Sequence, residues 1–393
     1  MLELFLHATR SGLLELRWDL LCPLCRGPQQ RAGTLAEVES ELHCESCAID
    51  FRADFAQSVE LSFRPTAAIR EVEERQFCVG GPQVTPHIVA QQLIQAGEER
   101  ILRPPLGRSS YRLRIRDLAG ERRLFASAEG LTELQLRAGD EGWGGEEELA
   151  LVEEPTLQLV NETGREQLFV LERTAWSDQA VTAAEVTTLQ VFRDLFAQEA
   201  LRPGEPICVG TLTVLFTDLR DSTRFYREIG DAPAFGSAMD HLDVLGEAVA
   251  AEGGAVVKVM GDAILAVFGR PVAAVRAALE AQRSLADPPG NRRPLPLKVG
   301  IHTGPCIAVT QNGRLDYFGS TVNLAARLVG LSSGRDVVVS SSVTSDPEVV
   351  ELLEERLAAE PLDATLKGFE QEPFEMWALT AAHEGDRAPV ATD

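Results

Sequence analysis

Two β-branched apolar stretches, Thr211-Leu-Thr-Val-Leu-Phe216 and Ala255-Val-Val-Lys-Val-Met260, each run on into an aspartate. The first reads as a buried strand that passes Asp218 and enters a helix near Ser222. The second turns through Gly261-Asp262 into Ala263-Ile-Leu-Ala-Val-Phe268, a hairpin with a two-residue turn. Buried strands fix a core, and acids at their ends stand where the core meets solvent. Paired acids there suit hard cations such as Mg²⁺, which combine a few carboxylate oxygens with substrate phosphates. The chemistry indicated is phosphoryl chemistry.

The chain beyond residue 207 continues in the same grammar: helix 222–251, hairpin 255–268, helix 272–286, strands 296–302 and 305–310, helix 320–331, strand 336–340 and a strand near 374–379. Helices packed on one face of a mainly antiparallel sheet predict an α+β, ferredoxin-like core with additions.

The preceding half divides differently. Cys22-Pro-Leu-Cys25 and Cys44-Glu-Ser-Cys47 have the spacing of a tetrahedral thiolate Zn²⁺ site, so residues 1–60 are expected to form a zinc-ribbon-like module. So small a module would draw much of its folding free energy from the metal. Residues 61–177 carry short alternating segments between turn signals: Ser58–Phe63, Tyr111–Ile115, Leu131–Leu136, Thr156–Val160 and Gln167–Leu171. They predict an antiparallel β sandwich or barrel, with no cluster of catalytic residue types and no hint of its ligand. Residues 178–206 form a helical linker in which 181–200 reads as one helix. Its apolar stripe of Val186, Leu189, Phe192, Leu195 and Phe196 either packs on the β domain or pairs with a second chain. Leu201-Arg-Pro-Gly-Glu-Pro206 marks a boundary, residues 207–380 form the last domain, and 381–393 are a tail.

Composition removes several function classes. A net charge of −23 argues against nucleic acid or an anionic membrane as partner, because both need basic surface. No apolar run approaches the roughly 18 residues of a membrane span, and the start lacks the pattern of a secretory signal, so a cytoplasmic location is expected.

Further residues converge on the acids. Lys258 interrupts an apolar strand four positions before Asp262, and Asp316 lies in Arg314-Leu-Asp-Tyr-Phe-Gly319. Asn323 and Arg327 are one helical turn apart and share a face. Taken singly these are a strand lysine, a turn former, a cap and a surface ion pair; taken together they form a site.

In Val214-Leu-Phe-Thr-Asp-Leu219, Lys258-Val-Met-Gly-Asp262, Val299-Gly-Ile-His-Thr-Gly304, Asp316-Tyr-Phe-Gly319 and Val322-Asn-Leu-Ala-Ala-Arg-Leu328, the chain resembles class III nucleotidyl cyclase catalytic domains. The resemblance implies conversion of ATP to 3′,5′-cyclic AMP and pyrophosphate with two Mg²⁺ or Mn²⁺ ions. It implies Asp218, Asp262 and the Leu219 carbonyl as metal ligands, and Lys258 and Asp316 as readers of adenine. Asn323 and Arg327 match the transition-state residues, and Lys367 the lysine that holds the terminal phosphates. It also implies a homodimer, with the metal-binding acids of one subunit facing the remaining residues of the other. Asp221 departs from the pattern, since many relatives carry glycine there. The competing readings are a guanylate cyclase and a catalytically silent cyclase-like signalling module, with the N-terminal modules binding an unknown regulatory ligand or partner.

Overall fold

The computed structural model of the chain describes residues 1–23, 27–45, 49–72, 88–107, 109–115, 121–140, 142–143, 148–173, 180–288, 293–366, 368–369 and 374–381. A helix, α1 (Leu2–Arg10), opens the chain. Five short strands follow: β1 (Leu14–Leu21), β2 (Pro28–Ala32), β3 (Glu41–Cys44), β4 (Ile49–Arg52) and β5 (Val59–Pro65). They form a sheet in the order β2-β1-β5 and a separate β3-β4 hairpin. The sequence reading placed Ser58–Phe63 with the β-rich region, but β5 pairs antiparallel with β1, from Leu14 opposite Pro65 to Leu20 opposite Val59. Cys22 lies between β1 and β2, Cys44 ends β3, and both are buried. Cys25, Cys47 and Lys367 lie outside the described residues.

The next sheet comprises β6 (Ile88–Ile94), β7 (Glu99–Leu102), β8 (Ser110–Ile115), β9 (Glu121–Gly139), β10 (Gly142–Trp143), β11 (Glu148–Asn161) and β12 (Gln167–Arg173). Its order is β6-β12-β8-β9-β11-β7, with β10 on β9, over a core that includes Leu113, Leu124, Leu157 and Phe169. It is not wholly antiparallel, because β9 and β11 run parallel. Alternation marks which residues face the core but carries no information on the direction of the neighbouring strand.

The linker is two helices rather than one, α2 (Ala183–Thr187) and α3 (Gln190–Leu195). Thr187 and Thr188 turn their hydroxyls back onto the carbonyls of Ala183 and Glu185, and such back-bonding competes with the helix ladder. The apolar stripe does not pack on the β-rich sheet. Val186 and Phe192 join a core with Trp18, Phe55 and Leu61 of the N-terminal sheet.

The last region contains β13 (Ile207–Leu219), α4 (Ser222–Ile229), α5 (Asp231–Ala251), β14 (Ala255–Met260), β15 (Ala263–Phe268), α6 (Pro271–Ala286) and β16 (Leu297–Gln311). It continues with β17 (Arg314–Phe318), α7 (Ser320–Leu328), β18 (Val337–Ser340), α8 (Ser341–Thr344), α9 (Pro347–Arg356), β19 (Leu357–Leu362) and β20 (Met376–Ala381). The sheet order is β14-β15-β13-β16-β18-β20-β19, with β17 paired to β16. The predicted helix 222–251 breaks at Gly230, whose φ is 83°. The two predicted strands around Gly304-Pro305 are one strand, because β13 pairs on through that step, Leu212 opposite Gly304 and Thr211 opposite Pro305. Sequence reading missed β17, α9 and β19.

Both faces of this sheet are covered. Leu215 and Leu219 pack with Leu245 of α5, Val272 of α6 and Val349 of α9. The alternate residues Leu212, Val214 and Phe216 pack with Ala325 of α7 and with the core of the linker and N-terminal sheet. Helices on a single face were expected; coverage of both explains why β13 is apolar at consecutive positions. Gly300 lets this packing close, since a Cβ there would strike the Val329 amide just beyond α7.

His302 on β16 accepts or donates at 2.7 Å through Nδ1 to the Ser340 hydroxyl on β18. Burial pushes its imidazole down to about 4. An unfolded chain binds that proton below about pH 6.5, so this group contributes stability above that pH and loses it as pH falls toward 4. The slope is at most ~1.4 kcal/mol per pH unit. Urea midpoints measured at about pH 7 and about pH 5 should therefore fall further for the wild type than for His302→Gln.

Candidate active site

Strand β13 carries Asp218 to its exposed end, where antiparallel pairing sets it opposite Lys298 of β16. Asp262 occupies the second position of the β14–β15 turn, after Gly261 at φ 72°. Met260 opposite Ala263 leaves two residues in that turn, and glycine first is what a II′ hairpin requires. The turn brings Asp262 beside Asp218. Asp218 is held above the ordinary carboxylate range, first by burial and then by the negative charge of Asp262; Lys298 and the Leu219 amide oppose the shift. Asp262 Oδ2 is buried and has no hydrogen-bond partner among the described residues. Its backbone carbonyl accepts from Nε2 of His241 at 3.1 Å, and burial keeps that imidazole below its ordinary range, hence neutral.

Two close carboxylates, one with an orphaned buried oxygen, repel each other unless a cation lies between them. The donor set is all oxygen, and Asp218 borders a cleft of 570 Å³ formed with Leu219, Asp221, Ser222, Arg224 and Lys298. Hard divalent ions fit such a set. Asp221 has a φ of 58°, a left-handed conformation that glycine adopts without cost. That explains the glycine of the pattern it departs from. Its side chain is exposed and meets Arg220 at 3.5 Å.

A second group lies on β14, β17 and α7. Lys258 Nζ donates to Asp316 Oδ2 at 2.7 Å, and the Tyr317 amide donates to Asp316 Oδ1 at 2.8 Å. Asp316 is buried, whereas the lysine is about one-third exposed (35%). The bland reading of Asp316 as a turn former is incorrect, because it sits within β17 opposite Val309. Both residues border a 440 Å³ cavity with Phe216, Met260, Phe318 and Asn323. Asn323 and Arg327 project from the exposed face of α7. Among the described residues, none lines both this cavity and the acid cleft.

Lys298 and His241 escaped the sequence reading. Lys298 stands just before the Val299–Gly304 stretch, but only strand register sets it across from Asp218. Burial raises the thiols of both Cys208 and Cys306, the latter to about 11, so neither is poised as a thiolate.

Residues 208–379 match the family described as Adenylate and Guanylate cyclase catalytic domain, and residues 1–77 match a family of unknown function, DUF5939. An uncharacterized protein of Mycobacterium tuberculosis is 35% identical over 154 residues, which is 38% of this chain and 50% of that protein. Adenylate cyclase 1 of Rhizobium meliloti is 30% identical over 152 residues, 34% of this chain and 23% of the relative. The chain thus spans at most about half the length of these curated relatives. Among solved structures, the adenylyl cyclase CyaB from P. aeruginosa aligns with 46% of this chain and 98% of its own, at 24% identity and a TM-score of 0.39. With the acids, the lysine–aspartate pair and the α7 face all inside the matched span, residues 208–379 are a class III adenylate/guanylate cyclase catalytic domain.

Proposed function

We propose that the chain is an adenylate cyclase that converts ATP to 3′,5′-cyclic AMP and pyrophosphate and works as a homodimer. The observation that carries the reading is the Asp218–Asp262 pair, close enough for the charge of Asp262 to raise Asp218 and holding a buried oxygen with no hydrogen donor among the described residues. Asp218, Asp262 and the Leu219 carbonyl would hold two Mg²⁺ or Mn²⁺ ions. When bound, these supply Lewis acidity toward the ribose 3′-hydroxyl and the triphosphate.

The protein's own residues supply positioning and charge. Lys258 and Asp316, fixed against each other, present one donor and one acceptor to the base edge. Adenine offers an amino donor and the N1 acceptor, which match them. Guanine offers the reverse and would leave Asp316 facing a carbonyl oxygen, at a cost of roughly 1–3 kcal/mol or about tenfold in preference. Asn323 orients the sugar, and Arg327 neutralises charge that builds on the α-phosphate oxygens. Lys367 would hold the terminal phosphates.

The dimer reading draws on the separation of the acid cleft from the Lys258–Asp316 cavity. It draws also on apolar side chains left exposed near them: Val259, Met260 and Phe318, with Phe235 and Met239 on α5. A second copy of the chain would cover these and join the acids of one subunit to Lys258, Asp316, Asn323, Arg327 and Lys367 of the other. Each dimer would then hold two equivalent sites. In the N-terminal module, Cys22 follows β1, Cys44 ends β3 and both are buried, which supports a structural Zn²⁺. The purified chain should contain about one zinc per chain, and a metal-free yet folded protein would remove that part of the reading.

Purified protein with Mn²⁺ and ATP should yield cyclic AMP, and Asp218→Asn should lower the rate by about a hundredfold or more. Mn²⁺ alone should raise the thermal midpoint of the wild type and leave that of Asp262→Asn unmoved. Cyclic GMP from GTP as the main product would replace the adenylate reading, and no product from either nucleotide would leave a silent module. Asp262→Ala mixed with Arg327→Ala should recover part of the activity that each lacks alone, through one intact site per mixed dimer. No recovery in mixtures shown to contain the heterodimer would refute the shared-site arrangement.

A further inference from the structure

The two strands that carry Lys258 and Asp316 are both held from outside the catalytic domain, by the short linker helices. On β14, the Val256 amide donates to Gln190 Oε1 at 2.7 Å, two residues before Lys258. On β17, Arg193 Nη1 donates to the Leu315 carbonyl at 3.0 Å, the residue before Asp316. Arg193 also lies over the ring of Tyr317, the residue after Asp316, at 5.2 Å. Tyr317 in turn donates its hydroxyl to Thr187 Oγ1 at 3.0 Å, and Arg193 Nε donates to the Thr187 carbonyl at 3.0 Å. Asp316 is thus bracketed on both sides along the chain, and Lys258 on one.

The linker is itself seated on the N-terminal sheet. Phe192 meets Trp18 edge to face with centroids 5.9 Å apart. The Leu35 amide donates to Glu199 Oε2 at 2.7 Å, and the Leu61 and Ala184 amides reach the Val181 and Phe55 carbonyls at 2.8 and 3.0 Å. An unbroken run of contacts therefore leads from the N-terminal sheet, through Phe192 and Arg193, to the backbone on either side of Asp316.

Among the described residues β14 ends the sheet, and β17 has only β16 as a neighbour. Such strands are free to shift unless something else fixes them. A hydrogen-bonded lysine–aspartate pair reads a base only while the spacing of its two strands is held, so whatever fixes β14 against β17 sets base recognition.

We propose that Gln190 and Arg193 are positioning residues that clamp β14 to β17 and hold the Lys258–Asp316 pair in its base-reading geometry, with the N-terminal sheet as the anchor of the clamp. The inference rests on the nucleotide-cyclase reading of the site and adds to it a role for residues outside residues 208–379. It also gives the N-terminal module a route to the chemistry: displacing it releases α3, and with α3 the spacing of the pair.

The test uses the full chain with Gln190→Leu and Arg193→Met, singly and together. A control variant of the opposite core, Val343→Ala, lowers stability without touching the clamp. Amide exchange of residues 256–260 and 315–318 should quicken by about tenfold in the double variant and stay unchanged in the control, once differences in global stability are subtracted. The ratio of affinities for non-hydrolysable analogues of ATP and GTP should fall toward unity by about fivefold in the double variant and stay fixed in the control. Unchanged local exchange, or equal change in Val343→Ala, would overturn the clamp. Faster exchange with an unaltered affinity ratio would reduce these contacts to packing and overturn their positioning role. A wild type that binds neither analogue would fault the nucleotide reading instead, while the exchange data would still decide whether the linker holds the strands.

Discussion

The pairing of β13 with β16 is the constraint on which the other features of the catalytic half are arranged. It runs from Ile207 opposite Ala308 to Leu219 opposite Leu297 and is buried on both faces of the sheet. One end places Asp218 across from Lys298. Toward the other end the strand meets the segment between β4 and β5, where the Phe55 amide reaches the Cys208 carbonyl at 2.8 Å. The β14–β15 hairpin is added to the free side of β13, which brings Asp262 to the same end as Asp218. A slip of one residue in this ladder would turn Asp218 to the opposite face and leave Leu215 and Leu219 without their core.

At that end burial and the charge of the neighbouring acid act in the same direction. Burial disfavours charge on Asp218, and the neighbouring carboxylate adds to the penalty. The fold keeps the two acids together nonetheless, although they cost stability as isolated anions. Such a cost is characteristic of sites shaped for a ligand rather than for the chain's own packing. The Lys258–Asp316 pair is built on the reverse principle. Here a buried acid has both oxygens satisfied, one by the lysine and one by the Tyr317 amide, so its geometry is fixed by the chain itself.

Much of this was legible in residue order. The apolar runs located β13, β14 and β15; the Gly-Asp turn gave the hairpin; and the spacing of Asn323 and Arg327 gave a shared helix face, which α7 provides. What failed did so for local reasons. Thr187 and Thr188 satisfied a helical periodicity yet broke the helix with their own hydroxyls. Gly304-Pro305 carried the mark of a turn yet stayed extended because a partner strand ran past it. Alternation in residues 58–63 gave a strand but could not say that its partner was β1.

Residue order by itself determined which groups the chain has for phosphoryl chemistry and at which strand or helix ends they stand, because apolar period and turn chemistry are local properties. Tertiary structure decided which of them meet. Asp218 beside Asp262, Lys298 across from Asp218, Lys258 against Asp316, and the linker across β14 and β17 all depend on register and on the order of strands in the sheet. These are set by long-range burial on the two faces of β13 and β16, a quantity that no short window of residues contains.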